Sequence, residues 1–287
     1  MILEKSKPYF TIIIPTLNSE ATLQECLISI FEQSFQNFEI IIVDGHSSDQ
    51  TQIVANTFGS KVKVLEAKTK GIYNAMNEGI DIATGEWIYF LGSDDKLYND
   101  QVLKNVHDFV FGTKIQLANG ITIGIDSKKV IRSPNKLSLI RTGFHHQAFF
   151  YSKALFDNNI RFDTKFKVSA DYYFTLVELL HKKRDYGFVD SVICEYGEKG
   201  FSSANVDYLF FSKHYAIIKD STKEFPHVDF SPELMTSINC CLHLTKEKQH
   251  ALAAWASFMA YFFSARLNLK TRLDLLSRMI KNTVRFW

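Results

Sequence analysis

Phe10-Thr11-Ile12-Ile13-Ile14-Pro15-Thr16-Leu17-Asn18-Ser19-Glu20 is the stretch whose reading decides the fold. Its first half is β-branched and apolar on both faces, the pattern of a strand covered by helices on both sides, and Pro15 breaks the run into a polar turn. The same design recurs three times: Glu39-Ile40-Ile41-Ile42-Val43 stopped by Asp44-Gly45, Lys61-Val62-Lys63-Val64-Leu65, and Trp87-Ile88-Tyr89-Phe90-Leu91 stopped by Gly92. Helical patterns lie between them. Ala21 to Phe31 puts Leu23, Leu27, Ile30 and Phe31 on one face, Asp49 to Phe58 reads as a shorter helix capped by Asp49, and Ile72 to Ala83 carries Ile72, Ala75, Met76, Gly79 and Ile80 on one stripe. This alternation predicts an α/β fold with a mainly parallel, doubly wound sheet and helices on both faces.

Further along the pattern is mixed. Ile121–Ile125 and Ala148–Tyr151 read as strands, Asp171 to His181 as a helix, and everything after about residue 205 as helical. With 287 residues, 46% of them hydrophobic, the chain is long enough for one large domain and an appendage, divided here into 1–205 and 206–287. Lys+Arg 33 against Asp+Glu 31 leaves a net charge of +2, which argues against a nucleic-acid binder. Cys26, Cys194, Cys240 and Cys241 form neither a CxxC pair nor a zinc spacing, so a reduced, cytoplasmic protein is expected. Met1-Ile2-Leu3-Glu4-Lys5 lacks the apolar core of a secretory signal. The apolar run Ala251 to Ala265 is shorter than the roughly 18–20 residues a membrane span requires.

In doubly wound sheets ligands bind at the carboxyl ends of the strands. Three of those ends are polar in a consistent way: Pro15 to Glu20, Asp44 to Thr51, and Gly92-Ser93-Asp94-Asp95. Carboxylates at a strand end suit a Mg²⁺ or Mn²⁺ that bridges phosphates, and an acidic loop after the second strand suits a ribose or nucleobase. Taken singly, Asp44-Gly45 reads equally as a turn, and Asp94-Asp95 as solvated surface. The chain contains no GxGxxG and no GxxxxGK[ST], against a dinucleotide dehydrogenase or an ATPase.

Four motifs in order carry a resemblance: Thr11 to Glu20, Val43 to Thr51, Lys70-Gly71-Ile72-Tyr73-Asn74-Ala75-Met76-Asn77-Glu78-Gly79, and Gly85 to Asp95. Over these the chain resembles the inverting family 2 glycosyltransferases, whose catalytic domain has the Rossmann-like GT-A fold. A weaker match continues through Ser169-Ala170-Asp171-Tyr172-Tyr173. The resemblance implies that Thr16, Asn18, Glu20 and Asp44 hold the nucleoside of a nucleotide-sugar donor, with Lys70 and Gly71 along its base and phosphates. Ser93-Asp94-Asp95 stands at the family's metal-binding DxD, which implies Asp95 as the ligand of a Mn²⁺ or Mg²⁺ and Asp94 facing the ribose or donor sugar. Two departures stand out: Ser93 replaces a common Asp, and His46 sits where Gly is usual, which implies a loop of different shape.

Displacement at an anomeric carbon also needs a base for the acceptor hydroxyl. Asp171 matches the family's catalytic carboxylate, with a helix N-cap as its other reading. His145 and His146 stand where they touch donor phosphates or acceptor, or serve as structural histidines, and Gly200-Phe201-Ser202-Ser203 resembles a lid loop. Arg266 to Trp287 holds six basic residues against the single acid Asp274, with Leu269, Leu273, Leu276, Ile280 and Val284 at helical spacing. Together with the preceding aromatic run, residues 251–287 read as an interfacial helix on anionic lipid, as a helix on the catalytic domain, or as a contact in a homo-oligomer. The function expected is metal-dependent inverting transfer from a nucleotide sugar, most simply a UDP-sugar, to a glycan hydroxyl. By resemblance, the acceptor is carried on polyprenyl diphosphate at the inner face of the cytoplasmic membrane, in bacterial O-antigen, capsule or exopolysaccharide synthesis. Two rivals stand beside it: a sugar-nucleotide pyrophosphorylase, which needs a Gly-rich basic loop where Pro15-Thr16-Leu17-Asn18 stands, and a non-catalytic membrane-bound scaffold, which predicts decay of Asp44, Asp95 and Asp171.

Overall fold

The structure, a computed structural model, describes residues 7–142, 145–198 and 200, and residues 207–230 in part. The chain divides into two compact units, Met1–Val206 and Asp207–Trp287. The expected interfacial helix over 251–287 and residues 201–203 of the expected lid lie outside the described residues. In the second unit, Phe210 stacks on His214 with ring centroids 4.9 Å apart, and the Ser221 hydroxyl donates to the Ile217 carbonyl at helical spacing.

The first unit opens as β1 (Phe10–Thr16), α1 (Leu23–Phe31), β2 (Phe38–Asp44), α2 (Thr51–Asn56), β3 (Val62–Glu66), α3 (Ile72–Ile82) and β4 (Trp87–Phe90). These strands form the parallel half of one sheet in the order β3-β2-β1-β4, the doubly wound pattern anticipated. Beyond β4 the sheet becomes mixed, through β5 (Lys96–Leu97), α4 (Val102–Val110), β6 (Leu117–Gly124), β7 (Val130–Arg132), α5 (Lys136–Thr142), β8 (Phe149–Ser152), α6 (Ala170–Leu176) and β9 (Tyr186–Tyr196). The order continues β4-β8-β6-β9-β5, with β8 antiparallel to both neighbours, β6 parallel to β9, and β7 paired on β6.

Pro15 lies within β1 and does not end it. Ile13 accepts from the Leu91 N–H on the β4 side. Two residues on, the Pro15 nitrogen faces that same side, where β4 has ended at Phe90 and no ladder bond is lost. One face of the sheet buries Phe10, Ile12, Ile14, Ile40, Ile42 and Tyr89 with Leu23, Cys26, Leu27 and Ile30 of α1 and with α4. On the other, α3 approaches β1 so closely that a Cβ on Gly79 would lie 2.5 Å from Ile13 Cγ2. Ile13 is fully buried and branched and cannot withdraw, so Gly79→Ala is expected to destabilise the protein by about 1–3 kcal/mol, measured by denaturant unfolding. An unchanged midpoint would show that α3 shifts freely.

Candidate active site

The carboxyl ends of β1 and β2 are laced together. Asp44, fully buried at the end of β2, accepts from Thr16 Oγ1 (3.0 Å), Ser47 Oγ (2.5 Å), the Ser47 N–H (3.0 Å) and Gln52 Nε2 (2.8 Å). Burial alone would raise this carboxyl, but those four donors outweigh it and hold the pKa below its ordinary value. A carboxylate accepts about four such bonds, so Asp44 is saturated by the protein itself. The Asn18 side-chain oxygen takes the Ser48 N–H (2.9 Å), Glu20 takes the Gln50 N–H (2.8 Å), and Asp49 takes the N–H groups of Glu20 and Thr51. The helix N-cap position belongs to Gln50; Asp49 spans the two loops instead. These side chains thus hold the walls of the crevice, and Leu17 stands exposed between them. His46 adopts φ 66°, the left-handed region glycine favours, and its Nδ1 lies 2.7 Å from Glu66. The loop therefore keeps a glycine-type turn with a histidine in it.

Lys70 and Gly71 form the entry to α3. Gly71 has φ 119° and ψ 140°, Lys70 is exposed, and the Asn74 amide donates to the Lys70 carbonyl at 2.7 Å. Ser93 pairs with Ser19 through their hydroxyls at 2.8 Å, tying the turn after β4 to the turn after β1.

The two adjacent acids of that turn are not equivalent. Asp95 is 1% exposed; its Oδ2 accepts the Gly92 N–H (3.0 Å), its Oδ1 the Gly197 N–H (2.8 Å), and the Gln147 side chain donates to it as well. Burial and the neighbouring Asp94 charge push its carboxyl up to about 7. Asp94 is half-buried, and its Oδ2 lies where a Cβ on Gly197 would come within 2.4 Å. The sequence-based expectation of Asp95 as a cation ligand therefore meets a carboxylate whose two oxygens already serve the backbone. Asp94 is the more exposed of the two acids.

Gly197 also belongs to the wall of a cavity of about 370 Å³, lined among others by His145, His146, Gln147, Asp171, Tyr196 and Glu198. Asp171, 6% exposed, is the second residue of α6; Ser169 holds the N-cap position, so Asp171 does not cap the helix. Its Oδ1 accepts from Tyr73 Oη (2.9 Å) and the Tyr172 N–H (2.8 Å), and its Oδ2 lies 3.3 Å from His146 Nδ1. Burial pushes His146 down to about 4, partly offset by the Asp94 charge. His145, set edge-on to Tyr196 at 4.5 Å, is pushed to about 4 by burial, then by His146 and Lys129. Both rings are neutral near neutral pH.

The structure brings His145, His146 and Asp171 to this cavity, with Asp94 beside Gly197 of its wall. It also brings Tyr73 and Gln147, which sequence reasoning did not single out, although both lie inside or beside stretches already marked for their chemistry. Gly197, a lone glycine after a strand, carried no signal. Among the described residues there is no group of three or more His, Cys, Asp or Glu able to cage a metal. Cys26 and Cys194 are free and buried, and no helix among the described residues is long and apolar enough to cross a membrane.

A half-parallel, half-mixed sheet with an acidic turn after its fourth strand and a buried carboxylate opening a later helix defines a GT-A-type α/β transferase domain. The family model for glycosyl transferase family 2 matches residues 11–167, and the chain belongs to that family: it is a glycosyltransferase that uses a nucleotide-sugar donor. It is 33% identical over 222 residues to the PGL/p-HBAD biosynthesis glycosyltransferase of Mycobacterium tuberculosis, covering 72% of this chain and 84% of that one. It is 30% identical over 192 residues to the poly(ribitol-phosphate) beta-N-acetylglucosaminyltransferase TarS of Staphylococcus aureus, 61% of this chain and 33% of TarS. TarS 1-349 in complex with UDP-GlcNAc superposes with a TM-score of 0.63 over 95% of this chain and 81% of that one, at 21% identity. The mannosyltransferase PcManGT of Pyrobaculum calidifontis, in complex with GDP-Man and Mn²⁺, gives 0.56 over 97% and 81%, at 16% identity.

Proposed function

We propose that the chain transfers the sugar of a UDP-sugar, with inversion and in the presence of a divalent cation, to a hydroxyl of a glycan acceptor. The observation that carries this reading is a pair of carboxylates from separate elements near one cavity: Asp171, which lines it, and Asp94, whose Oδ2 lies against Gly197 of its wall. The donor set fits a cation that brings phosphate oxygens with it, because among the described residues it offers the Asp94 carboxylate beside the glycines at 92, 197 and 200 and no group of three or more ligands. Asp94 is the residue proposed to hold it, in place of Asp95. Bound Mn²⁺ or Mg²⁺ would neutralise charge on the departing diphosphate.

The remaining chemistry falls to the chain's own groups. The acceptor hydroxyl gives its proton to Oδ2 of Asp171, and its oxygen electron pair forms the new bond at the anomeric carbon. The bond from that carbon to the diphosphate breaks with its pair on the leaving oxygen. A single displacement inverts the centre, so an α-linked donor gives a β-linked product. The laced turns built on Thr16, Asn18, Glu20 and Asp44 are proposed to form the nucleoside crevice, Lys70 and Gly71 its phosphate side, Ser93 and Asp94 the donor-sugar side, and His145 and His146 the acceptor side. UDP as the nucleotide is supported by the complexes of TarS with UDP-GlcNAc, and the cation by the Mn²⁺ of PcManGT. An acceptor carried on polyprenyl diphosphate at the membrane surface, within bacterial surface polysaccharide synthesis, is supported by the basic, amphipathic sequence from Arg266 to Trp287.

The test is a thermal-shift series with UDP, GDP and dTDP, each with Mn²⁺, Mg²⁺ or chelator. A ligand at a hundred times its Kd adds about 2.7 kcal/mol of stability, or roughly 5–10 °C for a chain of this size. UDP with cation is expected to give that rise and UDP with chelator a much smaller one. A folded protein indifferent to all three nucleotides sinks the reading.

A further inference from the structure

Asp94 stands between two pieces of bare backbone. A Cβ on Gly92, in its own turn, would come 3.0 Å from Asp94 Oδ1. One on Gly197, just past the end of β9, would come 2.4 Å from Oδ2 and 2.9 Å from Cγ. Those last two distances lie well inside van der Waals contact, so a side chain at 197 and the Asp94 carboxylate as it stands exclude one another. Gly200 does not share this role: its Cβ would lie 3.6 Å from the same oxygen, an ordinary contact.

Gly197 does not owe its identity to its backbone angles. The described glycines with positive φ are Gly59, Gly71 and Gly112, and Gly197 is not among them. What glycine supplies here is room. The same residue also reaches the second acid, for its N–H donates to Asp95 Oδ1 at 2.8 Å across 102 positions of sequence. An alanine would keep that N–H. The two contributions are therefore separable: the amide holds Asp95, and the missing side chain sets where the Asp94 carboxylate lies.

We propose that Gly197 is a positioning residue for the cation, fixing the Asp94 carboxylate by presenting no side chain to it. This inference rests on the reading of Asp94 as the residue that holds the cation. A methyl at 197 forces Oδ2 to withdraw by roughly 1 Å to regain contact distance. Metal–ligand distances tolerate only about 0.2 Å, so the displaced carboxylate no longer reaches a cation held by the diphosphate. The Asp94 carbonyl oxygen, 3.2 Å from the same methyl, has to give much less.

The experiment uses the full chain and compares wild type, Gly197→Ala, Asp94→Ala, the double variant and Gly187→Ala. Gly187 is a buried glycine of the same β9 whose Cβ would meet Phe109 Cε1 at 2.6 Å, so its variant crowds the strand without touching an acid. UDP affinity is measured by calorimetry with Mn²⁺ and with chelator. The ratio of the two Kd values is the cation response, and the thermal midpoint reads folding. Gly197→Ala is expected to reduce the response at least tenfold, as loss of a ligand's supporting contact does, and to keep the chelator Kd within twofold. Gly187→Ala is expected to lower the midpoint and leave the response in place. In the Asp94→Ala background, Gly197→Ala is expected to change neither, because the crowded group is gone. Should Gly197→Ala alone fail to fold, the double variant is expected to fold.

An unchanged response in Gly197→Ala overturns the inference, as does an equal loss in Gly187→Ala. Destabilisation by Gly197→Ala that persists in the Asp94→Ala background overturns it too, since the crowding is then with another group. A wild type whose UDP affinity ignores Mn²⁺, or an Asp94→Ala variant with the full response, removes the reading of Asp94 and this inference with it. A response lost in Asp94→Ala and intact in Gly197→Ala removes the inference alone.

Discussion

Asp171→Asn is expected to lower transfer by 10²–10⁴-fold, the range a positioned general base supplies, while UDP affinity stays within twofold of wild type. Asparagine is close in shape to aspartate and keeps an oxygen at the Oδ1 position for the Tyr73 hydroxyl and the Tyr172 N–H. At the Oδ2 position it puts an NH₂ group 3.3 Å from His146 Nδ1, and a neutral imidazole has one nitrogen able to accept. Folding is therefore preserved and only the ability to take a proton is lost. The measurement is UDP release and acceptor-dependent transfer, with the thermal midpoint as control. If the variant kept a tenth or more of wild-type turnover, the base would have to be sought in another group at this cavity.

The fold was legible where physics is local. Strands β1, β2 and β4 are covered on both faces, so their residues are mostly apolar, and no partner is needed to read them. The second half was harder for a definite reason. β5 is two residues long, and β9 carries Gly187, Asp190 and Ser191 within it, so neither has a period to detect. Both are strands because of pairing with distant segments: β9 follows β6 through register shifts around Gly120, where a Cβ would meet Ile193 at 2.5 Å. The site divides the same way. Its polar strand ends were visible as motifs. Sequence could not tell that Asp44, Asn18 and Glu20 spend oxygens on a neighbouring turn, since the Thr16 donor to Asp44 and the Ser48 and Gln50 donors to Asn18 and Glu20 each come from another strand end. Nor could it rank Asp94 against Asp95, because what separates them is the Gly197 backbone, 102 positions away.

That ranking leads to the sharpest contrast available in this molecule. Asp94→Ala is expected to fold with a midpoint near that of wild type, because the lost carboxylate is half-buried where Asp95 is fully so. It is expected to lose the cation-dependent part of UDP affinity and to lower turnover at least a hundredfold, as the proposed role of Asp94 in holding the cation requires. Asp95→Ala should fail in the opposite manner. It strands the N–H groups of Gly92 and Gly197 and the Gln147 side chain in a fully buried site, at about 1–3 kcal/mol for each unsatisfied group, and so costs much of the stability of a typical domain. It also frees the turn after β4 from the end of β9, so the position of Asp94 is lost with it. Denaturant unfolding and UDP calorimetry, each with and without Mn²⁺, read the two effects apart. Were Asp95→Ala to fold normally and lose only the cation response, the cation would belong to Asp95 and the sequence-based assignment would stand.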